Sequence, residues 1–127
     1  MNQSPTTTSP ATPLPATTLA TTLLVGTTTV SGRADADRLA RGLVESRLAA
    51  CVQIDGPITS VYTWQDKLET APEFRLTVKF PAANAGALES WLRANHPYDT
   101  PEWIAAPARF VSEKYLSWAL ANCSVPA

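Results

Sequence analysis

Over residues 74–80 the chain alternates Phe74, Leu76, Val78 and Phe80 with Arg75, Thr77 and Lys79. A period of two that sorts apolar from polar side chains is the pattern of a strand buried on one face. Just upstream, Ile58, Ser60, Tyr62 and Trp64 share one face and Thr59, Val61 and Thr63 the other, so neither face is charged. A strand of that kind is covered on both sides. Between the two runs lies Glu69-Thr70-Ala71-Pro72-Glu73, a short polar connection with a proline where the chain can leave the ladder. The spacing predicts an antiparallel hairpin with long arms joined there. Arms of that length outreach the body of a small domain, and Tyr62 and Trp64 on the overhang then carry apolar surface that only another subunit buries.

The remaining elements follow in order. Residues 21–30 are rich in β-branched side chains and suit an inner strand, with Gly26 marking a bulge or a close backbone approach. Ser31 or Asp35 is placed to cap the helix in which Ala36, Leu39, Ala40, Leu43, Val44 and Leu48 recur at helical spacing, with Arg38, Arg41, Glu45 and Arg47 outside. The hairpin follows from Ala50 through a bend at Asp55-Gly56-Pro57 to Phe80. Over residues 84–95 Ala87, Leu88, Trp91 and Leu92 form a narrower apolar stripe, which predicts a second, shorter helix. His96-Pro97-Tyr98-Asp99-Thr100-Pro101 is neither helix nor ladder, because its prolines lack amide donors and push their predecessors toward extended geometry. Residues 102–110 read as a last strand that Pro107 confines to an edge, and Ser112 opens a closing helix with Tyr115, Leu116, Trp118, Ala119 and Leu120 inward.

Strand, helix, strand, strand, helix, strand plus one added helix is an α+β chain, the ferredoxin-like βαββαβ sandwich with an extended hairpin. Right-handed crossovers put both main helices on one face of a four-stranded antiparallel sheet and leave the other face open. Since neither hairpin strand offers a fully charged set for that face, a homo-oligomer is expected.

The 127 residues fit one domain, taken as 21–122, with a disordered Pro/Thr/Ala-rich tail at 1–20 and a frayed end at 123–127. Net charge is −1, pI is near 5.7, and acids and bases are mixed along the chain, a balance that gives no footprint for nucleic acid or an anionic membrane. No apolar run approaches the roughly 20 residues that span a bilayer. Two cysteines with no export signal point to reduced thiols and a cytoplasmic protein.

Chemistry could reside in Cys51, in Trp64-Gln65-Asp66-Lys67-Leu68-Glu69, in Lys79, or in the loop from His96 to Glu102. Each has a plainer reading: Cys51 as a small packed thiol, His96 as a helix-end residue, Tyr98 as a loop anchor, and Lys79, Asp99 and Glu102 as solvated charges. No Cys-x-x-Cys or His-x-x-x-His spacing supports a closed zinc site, though Asp99, Glu102 or Glu69 could complete a site across a subunit interface. A Cys51–His96 nucleophile pair lacks an orienting third group and a glycine-rich oxyanion loop.

Together, Leu48-Ala49-Ala50-Cys51-Val52, Val61-Tyr62-Thr63-Trp64-Gln65-Asp66-Lys67-Leu68-Glu69, Lys79, His96-Pro97-Tyr98-Asp99-Thr100-Pro101-Glu102 and Tyr115-Leu116-Ser117-Trp118 resemble the signature of the CutA divalent-cation tolerance proteins. The resemblance implies a ferredoxin-like homotrimer related to the PII signalling fold, held by its hairpin arms, and a non-enzymatic role in tolerance to copper or another divalent metal. It implies Cys51 and His96 as metal-linked residues, with Cu(II) or a similar ion weakly bound. Trp64, Lys67, Glu69, Lys79, Tyr98 and Glu102 would line a cleft between subunits that takes a metal ion or a small anionic ligand. A PII-like sensor of a nucleotide or metabolite is the alternative, and a cysteine-dependent enzyme the third. The chain departs from the family pattern at Gln53, usually Asn, at Asp66, usually Gly, and at Phe80, usually Thr or Ser. Asp66 can still adopt the left-handed backbone, and Phe80 would narrow the cleft.

Overall fold

β1 (Leu23–Val30) forms where β-branched residues crowd, and both of its neighbours in the sheet hold it antiparallel. The chain continues through α1 (Arg33–Glu45), β2 (Cys51–Trp64), β3 (Lys67–Pro81), a single 3₁₀ turn (Ala82–Asn84), α2 (Ala85–Asn95), β4 (Ile104–Pro107) and α3 (Glu113–Ala121). In this computed structural model residues 22–125 are described, and the tail expected at 1–20 lies outside them. The strands stand in the order β2-β3-β1-β4, all neighbours antiparallel, which is the ferredoxin-like sheet expected from the element order.

The core lies between α1 and α2 and one face of this sheet. Ala36, Leu39, Ala40 and Leu43 of α1 and Leu88 and Leu92 of α2 pack on Val30, Leu76, Val78 and Phe80. Two glycines let large rings approach this closely. A Cβ on Gly42 would stand 2.4 Å from the Trp91 ring, and one on Gly26 would stand 2.5 Å from Trp103. The close approach at Gly26 is therefore to a side chain. α3 builds a smaller cluster of Ala119 and Cys123 against Leu23 and Ala50.

Several local expectations are corrected. The hairpin does not turn at Glu69–Glu73, which is ladder: Thr59 pairs with Pro72 and Tyr62 with Glu69. The turn is Gln65-Asp66, both with positive φ (50° and 64°), the pattern of a two-residue type I′ hairpin. Pro72 is tolerated because β1 ends opposite Phe74, so β3 has a single strand neighbour at that point. The bend expected at Asp55-Gly56-Pro57 is a bulge within β2, where three steps from Asp55 to Ile58 oppose two from Arg75 to Glu73. Gly56 has φ +148°, and a Cβ there would meet Phe74 and the Glu73 carbonyl.

α1 stops at Glu45 rather than Leu48. Arg47 takes φ 63°, its amide donates to the Val44 carbonyl and the Leu48 amide to that of Leu43, a Schellman ending without glycine. Its N-cap is Gly32, without a side-chain cap bond; Asp35 lies in the first turn, where its charge suits the helix dipole, and Ser31 precedes it. Ser112 holds the N-cap position of α3, also without a side-chain bond, and Trp118 is exposed rather than inward. β4 is shorter than residues 102–110 and is an edge, as Pro107 requires. The chain does not fray at Cys123, which is buried, while the Ser124 amide donates to the Arg47 carbonyl.

Candidate functional site

Residues directly opposite in a ladder point to the same face, and successive residues alternate. Val52 and Ile54 stand opposite Val78 and Leu76, so they share the helix-covered face; Cys51, Gln53 and Asp55 stand opposite Lys79, Thr77 and Arg75 and belong to the other. The bulge shifts the phase of β2 by one. Beyond it Ile58, Ser60, Tyr62 and Trp64 oppose Glu73, Ala71, Glu69 and Lys67, so these too project from the face opposite α1 and α2. One extra residue therefore aligns Cys51, Trp64, Lys67, Glu69 and Lys79 on one surface.

The loop after α2 delivers two more groups to it. Tyr98 donates its hydroxyl to Glu73 Oε2 at 2.7 Å, and Glu102 Oε2 accepts from Thr27 Oγ1 at 3.1 Å. Burial, reinforced by the Glu73 bond, pushes the Tyr98 phenol up to about 12, so it stays a neutral donor. Glu73 is only 8% exposed, and no cation within ion-pair distance of it is found among the described residues. Between the arm and the loop runs a groove of about 690 Å³ whose walls include Tyr62, Trp64, Glu73, Tyr98, Asp99 and Glu102.

The other predicted residues lie elsewhere. Lys67 and Glu69 sit at the arm tip outside the groove wall. Lys79 is twelve residues along β3 from Lys67, roughly 40 Å at strand rise, with its ammonium 5.5 Å from the Tyr115 ring centroid. Phe80 is fully buried against Trp103 on the helix side, so it does not narrow the groove. Asp66 does adopt the left-handed backbone, at the hairpin turn.

Cys51 and His96 are on opposite sides of the sheet. His96 is buried on the helix side, where Thr28, opposite Leu76, offers Oγ1 at 3.0 Å from Nε2. The Tyr98 amide donates to His96 Nδ1 at 3.1 Å, so that nitrogen is bare, and Nε2–H donates to the Thr29 carbonyl at 3.1 Å. Neither nitrogen is left to ligate a metal in this arrangement. Burial pushes the ring's pKa below its usual 6.5, outweighing the Thr29 bond. Among the described residues no three His, Cys, Asp or Glu side chains gather as a metal cage.

Reading the sequence alone overlooked Glu73 and Tyr62 as groove residues. By sequence Glu73 falls in the polar connection Glu69–Glu73, and its partner Tyr98 lies 25 positions away. The signal for Tyr62 was its alternation with Trp64.

Known proteins share this architecture. The family profile described as "CutA1 divalent ion tolerance protein" matches residues 24–122. The "Divalent-cation tolerance protein CutA" of Pectobacterium atrosepticum is 39% identical over 94 residues, 74% of this chain and 86% of that protein. The "Protein CutA homolog" of Xenopus laevis is 42% identical over 83 residues, 65% of this chain; the chain spans 55% of that relative's length. The crystal structure of CutA1 from Oryza sativa superposes with a TM-score of 0.80 at 36% identity, covering 84% of this chain and 97% of that one.

Proposed function

Because the chain belongs to the CutA1 divalent ion tolerance protein family, we propose that it acts in tolerance to divalent cations, copper among them, as a ring of three copies that binds its ligand in clefts between subunits and performs no chemical step of its own. The observation that carries this reading is the arm. β1 ends opposite Phe74, so seven residues of β3, from Lys67 to Glu73, project roughly 23 Å past it. Both faces of that projection are apolar and exposed: Tyr62 and Trp64 on one, Val61 and Leu68 on the other. A two-fold contact reuses one patch on both partners, whereas a closed ring uses two different patches on every copy. An arm sticky on both faces suits the ring.

The ion is cargo rather than a resident cofactor, and the described residues of one protomer offer no closed cage for it. In the assembled ring the oxygens of Asp99 and Glu102 would meet Glu69 from a neighbouring arm, hard donors suited to labile binding. Cys51 supplies a soft donor on this surface, and His96 holds the loop rather than the metal. Free Cys51 and Cys123 fit a reducing compartment, which we take to be the cytoplasm. Light scattering and calorimetric titration with Cu(II) and Zn(II) test the reading together. We expect a mass of about 41 kDa, three times 13.6 kDa, with metal binding unchanged in His96→Ala and weakened in Glu102→Gln. A solitary protomer overturns the ring, and binding that only Cys51→Ser removes overturns the carboxylate cleft.

A further inference from the structure

His96, the one histidine of the chain, ties three elements together from a buried position. Its amide donates to the Leu92 carbonyl at 2.7 Å and so closes α2. Toward β1, Nε2–H donates to the Thr29 carbonyl at 3.1 Å, with Thr28 Oγ1 3.0 Å from the same nitrogen. Toward the loop, Nδ1 accepts from the Tyr98 amide at 3.1 Å, and the two side chains meet edge to face with ring centroids 5.0 Å apart. These contacts lie within one protomer, on the side of the sheet that α1 and α2 cover, so each copy in the assembly completes them alone.

Both imidazole nitrogens are satisfied in the neutral form, and the neutral form alone allows it. A proton added at Nδ1 turns that atom into a donor facing the Tyr98 N–H, two donors with no acceptor between them at a residue only 8% exposed. The charged groups that face the imidazole are Asp35 and Arg38 of α1, which pair with each other at 3.1 Å, and Glu73 of β3, which already accepts from the Tyr98 hydroxyl at 2.7 Å. Burial opposes the proton most strongly; the Thr29 bond, Asp35 and Glu73 favour it, and Arg38 adds to the opposition. On the loop side Tyr98 is a phenol that stays neutral, and β1 brings Thr28 and Thr29. β1 is held by strands on both sides, so the loop is the partner that must yield when the proton arrives. Asp99 follows Tyr98 directly, and Glu102 lies three residues further on.

We propose that His96 is a proton-sensitive latch on the loop that carries Asp99 and Glu102, so that acidification releases the cation from the cleft between subunits. The inference rests on reading that cleft as the site of the ion and names its regulation. With the imidazole neutral, the Tyr98 amide is held and its hydroxyl braces Glu73. With the imidazole protonated, the amide is pushed off Nδ1 and the two loop carboxylates leave their places. Coupling between two sites is reciprocal, so a bound cation keeps the imidazole neutral to a lower pH. His96 acts as a positioning residue and does not touch the ion.

Calorimetric titration of the full chain with Cu(II) and with Zn(II), at about pH 7.5 and at about pH 5, tests the latch on wild type and His96→Gln. Glutamine offers an amide oxygen and an N–H in place of Nδ1 and Nε2–H but takes up no proton. The two proteins are expected to bind alike at the higher pH. At the lower pH wild type should lose about fivefold more affinity than His96→Gln, the low end of coupling between sites. A second readout needs no variant. Because the chain has one histidine, its imidazole NMR signals are assigned without ambiguity, and their titration midpoint should move to lower pH when Zn(II) is bound. That shift decides the matter if His96→Gln fails to fold. Equal losses in the two proteins, or a midpoint that bound Zn(II) leaves in place, overturn the latch while the cleft stands. If neither ion binds at either pH, the cleft reading falls and the latch with it.

Discussion

The two faces of this sheet differ in how far one protomer completes them. On the helix side Leu39, Leu43, Leu76, Val78, Phe80 and Leu88 are fully buried, and even the polar Thr28, Asn84 and His96 find hydrogen-bond partners. On the arm, Val61, Tyr62, Trp64 and Leu68 are 44–77% exposed although the strands beneath them are fully paired. Backbone pairing alone therefore extends a hairpin well beyond its core, and what remains uncovered is side-chain surface. The body answers to its own sequence, while the arm answers to concentration.

The sharpest way to break that contrast is to damage the body. Phe80→Ala removes a fully buried ring that lies against Trp103, and should lower unfolding free energy by about 3–5 kcal/mol in denaturant titration at any protein concentration. A variant that loses stability only on dilution would put Phe80 in the subunit contact instead. Next in size is Gly42→Ala, whose new methyl would sit 2.4 Å from the Trp91 ring. The helices must separate or the indole must turn, an overpacking cost of about 1–3 kcal/mol. An unchanged midpoint would show that the α1–α2 contact yields freely.

On the arm the same logic reverses. Leu68→Asp places a charge on a residue already 77% exposed and should alter the isolated protomer by no more than about 0.5 kcal/mol. Its mass by light scattering should nevertheless fall toward 13.6 kDa, and the dependence of melting temperature on concentration should vanish. A full-sized assembly in this variant would remove the second face of the arm from the contact.

How much of this could be read beforehand divides along the same line. The period of two over residues 74–80 and the helical spacing from Ala36 to Leu43 carry their burial locally, and both proved correct. The turn did not, because Gln65-Asp66 enters the left-handed region without glycine while Pro72, the stronger punctuation mark, sits in the ladder. The phase shift at the bulge escaped for a related reason. A pattern of alternation names two faces, but one inserted residue decides which of them joins the next stretch, and that depends on Gly56 fitting over Phe74 on the opposite strand. Glu73 and His96 were beyond local reading altogether, since Tyr98 stands 25 residues from the first and Thr28 68 from the second.

The smallest expected effect concerns that histidine. His96 is neutral in the fold, with Nδ1 accepting from the Tyr98 amide and Nε2–H donating to the Thr29 carbonyl. Protonation puts a hydrogen on Nδ1, which then faces an amide donor, and burial already holds the pKa below 6.5. In the unfolded chain the ring titrates at its ordinary value, so between the two values the unfolded state binds more protons and stability rises with pH. The contribution is thus fully present above 6.5 and is lost as pH falls through the lower folded value. Denaturation of the wild type at pH 7.5 and at about pH 5 should show a loss that His96→Gln lacks, and the loop carrying Tyr98 should loosen first. Equal losses in both proteins would mean that the ring keeps its bonds on protonation. The link between helix side and groove would then run through the Tyr98 backbone alone.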